Sequence, residues 1–273
     1  MTHAFATAAL NDEFDPVRLV ERLSAIGIAL SSEEDMERLL EIILVEAMRV
    51  AHADGGTFYH LNDNNQLEFA IIRNNSLGIA FGGSTGAKAT LKPLDLINPE
   101  TGAPNHSIKA VYAVTQKKTI HIADVYQSNE FDFTGAKNFD KQNGYETHSM
   151  LTIPMLNHKK EALGCLQLIN AQDSSSGKVV PFNSQIRHVV QSLASQASII
   201  LDNKKLIAAQ KDLLEAFIKL IAKAIDAKSP YTGMHCERVP VLTNMLAQAA
   251  CEAKEGPFAD FDLNEEEKYE LHI

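Results

Sequence analysis

The chain has 273 residues, of which 45% are apolar, so it can bury one full domain core and carry additional elements. Its formal net charge of −10 argues against nucleic acid and anionic membrane surfaces as main partners. No apolar run reaches the length of a membrane span, and the first residues lack the basic and apolar segments of a signal peptide. We therefore expect a cytoplasmic protein.

The first predicted elements are helical. Residues 1–31 are expected to form a polar leader and a short helix that starts near Pro16. Ser31 or Ser32 is expected to cap a second helix, because acidic residues follow in its first turn. Apolar residues then recur with helical spacing and predict one buried face. They are Leu39, Leu40, Ile43, Leu44, Ala47 and Val50.

Several strands are predicted next. TFYHL and QLEFAIIRN are separated by NDNN, which suits a tight turn between antiparallel strands. Residues 76–108 are predicted as an extended loop region with one candidate short strand at ATLKPL, followed by a short helix and the strand KKTIHIADV. After a long polar and aromatic crossover, HSMLTIPMLN and ALGCLQLINAQ form a hairpin joined by HKKE. The order of elements predicts an α+β fold with a central antiparallel sheet flanked by helices.

A long helix is predicted over residues 183–227, where neither Pro nor Gly interrupts the chain. From Leu193 onward, positions that step by four and three form one stripe with eight apolar residues and two lysines. The stripe comprises Leu193, Ala197, Ile200, Lys204, Ile207, Lys211, Leu214, Ile218, Ile221 and Ile225. This period is typical of a coiled coil and predicts a homodimer through the long helix. The alternative is an amphipathic helix lying on its own domain.

The segment between residues 114 and 173 resembles a GAF domain. The resemblance rests on TIHIADVYQSNEF and NGYETHSMLTIPMLNHKKEALGCLQLINAQD, and it extends over residues 32–201. It implies a sensory module that is commonly dimeric through its terminal helices. It also implies an unidentified small-molecule ligand, held between the sheet and the irregular crossover.

The GAF domains that bind cyclic nucleotides carry a dispersed Asn-Lys-Phe-Asp-Glu signature. Here Asn170 and Phe182 match it, but Ala171 replaces the Lys. Ile186 and Arg187 replace the Asp and the Glu. The Lys-Asp pair that would close the pocket cannot form, so binding of cyclic AMP or cyclic GMP is the weaker of the ligand hypotheses.

The candidate pocket residues lie in the crossover and the strands after it. Aromatic side chains of the crossover would stack on a planar ligand, while neighbouring polar groups fix its orientation. In the alternative, the phenylalanines anchor a long loop to the sheet and the polar residues meet solvent. The candidates are Phe131, Phe133, Phe139, Asp140, Tyr145, Thr147 and Asn170.

A second segment, AIDAKSPYTGMHCERVPVLTNMLAQ at residues 224–248, resembles the opening of an HD-GYP domain. His235 occupies the position of that family's first metal-ligating His. The resemblance implies a phosphohydrolase that cleaves cyclic di-GMP with divalent ions of the iron or manganese type. The His-Asp and Gly-Tyr-Pro motifs are missing from this chain, so we expect no cofactor and no catalysis in this fragment. Metal binding by His235 is expected only in a longer parent protein.

The predicted organisation has four parts. They are a leader and helix at 1–31, a GAF-like domain at 32–201, the rest of the signalling helix at 202–227 and an incomplete all-α HD-GYP domain at 228–273. A ligand-free dimerisation module is the alternative function. A GAF-type sulfoxide reductase would need several pocket cysteines, whereas this domain has only Cys165, which we interpret as core filler.

Overall fold

The computed structural model describes residues 24–30, 32, 33, 35–228 and 235–272. Side chains of residues 226–237, 265, 266 and 272 are not part of this description. The chain divides into two compact units between Asn203 and Lys204. The first unit contains a mixed helix and strand domain, and the second contains helices.

The described residues contain seven α-helices, one 3-10 helix (Gly83–Thr85) and eight strands. The helices are α1 (residues 24–30), α2 (Met36–Ala51), α3 (Lys109–Gln116), α4 (Thr134–Asn143), α5 (Ser184–Lys228), α6 (His235–Cys251) and α7 (Glu265–His272). The strands are β1 (Ala53–Leu61), β2 (Gln66–Asn74), β3 (Ile79–Phe81), β4 (Leu94–Asp95), β5 (Ile120–Ile122), β6 (Met150–Leu156), β7 (Ala162–Gln172) and β8 (Val179–Val180).

Helix α2 begins one turn later than the sequence pattern predicted. Its N-terminal cap is Asp35, whose Oδ1 accepts hydrogen bonds from the backbone N–H groups of Glu37 and Arg38 at 2.7 and 3.0 Å. The predicted serine cap is wrong, because the Ser32 hydroxyl instead donates to the carbonyl oxygen of Ala29 at 3.1 Å. The predicted apolar face of α2 is buried as expected.

The strands form one antiparallel sheet in the order β3-β2-β1-β7-β6-β5, with β4 paired to β2 and β8 paired to β7. The turn between β1 and β2 is confirmed, since Asn62 Oδ1 accepts from the N–H groups of Asn64 and Gln66, both at 3.0 Å. Strands β3 and β4 lie inside residues 76–108, where the sequence predicted mainly loop. The central antiparallel sheet flanked by helices is confirmed.

Helix α4 lies in the crossover, where the sequence pattern predicted no helix. The pattern fails there because α4 has no apolar stripe, and its buried residue is the acidic Asp140. Apolar periodicity detects only helices that place a hydrophobic face on a core.

The two faces of the sheet carry different cores. On one face, side chains from β6 and β7 pack with helices α1, α2 and the first part of α5 in the largest apolar cluster. On the other face, two smaller clusters lie beside α3 and the crossover that contains α4. Two candidate pocket residues, Phe131 and Phe133, belong to the clusters on this second face.

The 45-residue helix α5 confirms the prediction of a long unbroken helix. Its first turns belong to the domain core, where Leu193 and Ala197 are fully buried in the cluster shared with α2. The interpretation of the entire apolar stripe as a surface for a partner is therefore wrong for these first positions. Farther along, Ile207 and Leu214 are exposed.

The hairpin between β6 and β7 is joined to α5 near the end of the first unit. His158 Nδ1 lies 2.9 Å from Asp202 Oδ2, and Asn157 Nδ2 donates to Asp202 Oδ1 at 3.4 Å. Asp202 is buried. These contacts connect the end of the sheet to the helix at the point where the helix leaves the domain.

The second unit contains α6 and α7, which confirms a small all-α piece at the C-terminal side. His235 is the first residue of α6, and its side chain lies outside the described part of the structure. None of the helices in the described ranges combines the length and the hydropathy of a membrane-spanning segment.

Candidate functional site

Asp140 is a buried carboxylate at the end of the crossover. Its Oδ2 accepts from the hydroxyl of Tyr126 and the backbone N–H of Thr147, and its Oδ1 accepts from the Thr147 hydroxyl, all at 2.8 Å. The hydrogen bond to Asp140 raises the pKa of Tyr126 to about 12, because ionisation would place a second negative charge beside the carboxylate. Asp140 thereby ties the segment after α4 to the crossover.

Asn170 holds the same segment from the side of the sheet. Its Nδ2 donates to the Tyr145 hydroxyl at 2.9 Å and to the carbonyl of Glu146 at 2.7 Å, and its Oδ1 accepts from the backbone N–H of His148 at 2.7 Å. The backbone of Asn170 has φ of 54°, a left-handed conformation that Asn tolerates better than most residues. Side chain and backbone requirements therefore both favour Asn at this position.

Asp54 completes the network from strand β1. The Tyr145 hydroxyl donates to Asp54 Oδ2 at 2.6 Å, while Asp54 Oδ1 accepts from the hydroxyl and the N–H of Ser76 at 2.7 and 3.1 Å. Burial, followed by the hydrogen bond to Asp54, raises the pKa of Tyr145 above its ordinary value. Tyr145 consequently stays protonated and acts as a donor to the carboxylate at neutral pH.

Tyr145 and Asn170 border a surface cleft with a volume of about 810 Å³. Asp54, Asp124 and Glu146 also line it, and His148 places its Nδ1 3.4 Å from Asp124 Oδ1. These three carboxylates outnumber the one lysine of the cleft wall, Lys178, so the wall carries an excess of negative charge. Such a wall favours ligand groups that donate hydrogen bonds and disfavours phosphate groups.

The structure brings four predicted site residues together and separates the other three. Asp140, Tyr145, Thr147 and Asn170 belong to the network described above. Phe131 and Phe133 lie in a separate aromatic cluster beside Tyr112, with ring centroids 5.2 Å apart for Tyr112 and Phe131 and 6.5 Å apart for Phe131 and Phe133. Phe133 is buried, whereas Phe139 is 38% exposed and lies outside both groups.

Lys109, which the sequence reasoning missed, is buried next to these phenylalanines. Its Nζ donates to the carbonyl of Asp132 at 3.2 Å and lies 4.4 Å from the centroid of the Phe133 ring. Burial lowers the pKa of Lys109 to about 8. The available signal was helical spacing, because Lys109 precedes the buried Ala113 by four residues and shares its face of α3.

Two of the three altered signature positions are apolar and buried, and the third is an arginine. Ala171 and Ile186, which replace the Lys and the Asp, are both buried members of the cluster between the sheet and α5. Arg187 replaces the Glu. Burial is the main cause that lowers the pKa of His121, and the charge of Arg187 is the second cause. Hydrophobic packing therefore stands where cyclic-nucleotide-binding GAF domains place an ion pair.

Two further residues bear on the chemistry expected of the chain. Cys165 is fully buried, and burial raises the pKa of its thiol, which agrees with its interpretation as core filler. For His235, no side-chain environment is described. Within the described ranges, no group of three or more His, Cys, Asp or Glu side chains is placed to hold a metal ion.

Comparison with known proteins identifies the domain. A family model described as "GAF domain" matches residues 35–201. The dual 3',5'-cyclic-AMP and -GMP phosphodiesterase 11A of Takifugu rubripes is 33% identical over 100 residues, which are 37% of this chain and 10% of that protein. The aligned part thus spans about a tenth of that relative's length.

Solved structures share the same fold. The GAF domain of a phosphoenolpyruvate-protein phosphotransferase from Coxiella burnetii superimposes with a TM-score of 0.52 at 14% identity, covering 72% of this chain and 99% of that one. The corresponding Acinetobacter domain gives a TM-score of 0.49 at 12% identity, with 70% and 98% covered. At 14% identity, the Coxiella likeness establishes the fold alone.

Proposed function

The chain belongs to the GAF domain family, a family of regulatory ligand-binding domains, and on that premise we propose that it senses a small molecule and signals through helix α5. The observation that carries this proposal is the continuity of α5. The helix is buried in the domain core at Leu193 and runs unbroken to Lys228, beyond the division between the two units. A state of the domain that repositions the start of the helix would be transmitted along it.

The proposed ligand site is the acidic cleft beside Tyr145 and Asn170. Carboxylates of Asp54, Asp124 and Glu146 favour a ligand that is neutral or cationic and presents N–H or O–H donors. The same carboxylates disfavour a phosphate in this cleft, which agrees with the incomplete cyclic-nucleotide signature.

Two sets of contacts would couple the cleft to α5. Asn170 lies on β7 and holds the segment that borders the cleft, so ligand contacts there act directly on this strand. The hairpin at the other end of β7 is joined to α5 through His158 and Asp202. A ligand that binds one arrangement of β7 more tightly than another would shift the population of α5 positions. The size of this shift is set by the difference between the two affinities.

The proposed parent protein is a cytoplasmic, homodimeric cyclic di-GMP phosphodiesterase of the HD-GYP type. Support comes from the resemblance at residues 224–248 and, more broadly, from the phosphodiesterase relative. In that parent His235 would supply one ligand to divalent ions of the iron or manganese type. The next hundred residues of the parent gene test this assignment, because they must contain His-Asp and Gly-Tyr-Pro motifs.

Ligand binding is tested by thermal shift and calorimetry on matched pairs such as guanosine with GMP and adenosine with cyclic AMP. We expect the phosphate-free member of a binding pair to bind at least about tenfold more tightly, which corresponds to about 1.4 kcal/mol. Tyr145→Phe should weaken binding, since it removes the hydroxyl that donates to Asp54 and accepts from Asn170. Tyr269→Phe, in the other unit, is the matched control.

The second candidate function is a ligand-free dimerisation module. It is favoured by the internal hydrogen bonds of the network, because Asp54, Asp140 and Asn170 already have protein partners. If no compound shifts the melting temperature and none copurifies with the protein, this second function replaces sensing.

A further inference from the structure

Helix α5 presents a row of exposed apolar side chains within the second unit. Leu206 is 54% exposed, Leu213 71%, Phe217 58% and Leu220 64%. Large apolar residues with this exposure mark an interaction surface when they are contiguous. The row is distinct from the lysine-containing stripe that the sequence pattern singled out.

The spacing of the row is that of a two-stranded coiled coil. Its positions alternate by three and four residues, with Leu at the d positions 206, 213 and 220 and uncharged residues at the a positions. In order, they are Asn203, Leu206, Gln210, Leu213, Phe217, Leu220 and Ala224. Polar residues at a positions fix register and strand number. A strict seven-residue repeat is needed for pairing with another helix of the same repeat, not for contact with an irregular globular surface.

The lysine-containing stripe is the poorer surface for a second copy. Its Lys211 Nζ lies 5.1 Å from the centroid of the Tyr269 ring of α7, so this side of α5 already has a contact within the same unit. Its Ile218 is also partly shielded, unlike Leu213. Parallel pairing through this stripe would bring Lys211 of two copies together, and like charges repel.

We propose that two copies of this chain pair in parallel through the leucine face of α5, defined as Leu206, Leu213, Phe217 and Leu220. The proposal rests on the proposed homodimer and names its contact surface. In the dimer, Lys211 and Tyr269 remain together on the flank, and Gln210 faces its own counterpart across the seam.

Cysteine crosslinking tests the surface in a full chain that carries Cys236→Ser and Cys251→Ser. Under mild oxidation, Leu213→Cys should give a disulfide-linked dimer, since d positions of parallel partners face each other. Lys211→Cys, on the flank, is the matched control and should crosslink at least about tenfold more slowly. Equal crosslinking rates at the two positions would overturn the proposal.

Analytical ultracentrifugation separates this proposal from the proposed function. Leu213→Glu should raise the dimer dissociation constant at least about 100-fold, because each dimer loses two buried leucines and gains two facing charges. Lys211→Glu should leave it within about threefold. If Lys211→Glu weakens the dimer and Leu213→Glu does not, the leucine face is wrong but the proposed homodimer stands. If the wild-type chain stays monomeric at high concentration, both the homodimer and the leucine face are wrong. Circular dichroism of each variant checks the fold, which these exposed positions should not disturb.

Discussion

Replacing Asp140 by Ala should destabilise the domain strongly, because two buried donors lose their acceptor. The N–H and hydroxyl of Thr147 both donate to Asp140, and Thr147 is only 3% exposed. A buried donor without a partner costs about 1–3 kcal/mol. Tyr126 is 43% exposed and can donate to water instead, so it adds little. Removing a buried charge recovers part of this cost, and we expect a net loss of about 2–4 kcal/mol.

The matched variant for this experiment is Asp140→Asn. Its amide keeps the shape and one acceptor oxygen, so we expect a loss of about 1 kcal/mol. Glu130→Ala removes an exposed carboxylate from the same crossover and should change stability by less than about 0.5 kcal/mol. Urea unfolding followed by circular dichroism measures the differences, since the chain has no tryptophan. If Asp140→Ala is no less stable than Glu130→Ala, or if Asn costs as much as Ala, the role assigned to these hydrogen bonds is wrong.

Three further predictions concern ionisable groups. The pKa of Lys109 is about 8 in the folded chain and near its ordinary 10.5 when unfolded, so the unfolded chain binds more protons between these values. The free energy of unfolding should therefore rise with pH from about 8 to 10. Lys109→Met should abolish this rise, as measured by urea unfolding at several pH values across this window. The pKa of Tyr126 should fall from about 12 toward 10 in Asp140→Asn, as measured by ultraviolet titration; an unchanged titration would contradict the assigned hydrogen bond. Cys165 should react with a thiol reagent only after the domain unfolds, whereas rapid reaction in the native state would contradict its burial.

The parts of the fold that carry an apolar period were predictable from the sequence. The buried face of α2, the hairpin around Asn62 and the uninterrupted helix α5 all follow from local pattern and turn chemistry. Helix α4 was not predictable in this way, because its packing depends on the hydrogen bonds of Asp140. The predicted serine cap of α2 also failed, because several neighbouring residues could cap the helix and only the tertiary structure selects Asp35.

The candidate site was partly predictable for a related reason. Tyr145 and Thr147 were signalled by their alternation with period two, and Asn170 by its match to the signature of cyclic-nucleotide-binding GAF domains. Asp54 gave no such signal, since it meets Tyr145 only through the pairing of β1 with β7, whose residues are more than one hundred positions apart in sequence. Lys109 has the helical spacing of a buried residue, but a lysine at that spacing is normally interpreted as exposed.

Ala171 and Ile186 pack in the cluster where the end of β7 meets the start of α5, in place of an ion pair. The kind of contact decides which conditions loosen this end of the domain. An ion pair is screened by added electrolyte, whereas contact between hydrocarbon groups is insensitive to moderate ionic strength. Hydrophobic contact instead loosens on cooling, as its driving force declines. Temperature, more than salinity, should therefore govern how readily this end of the domain opens.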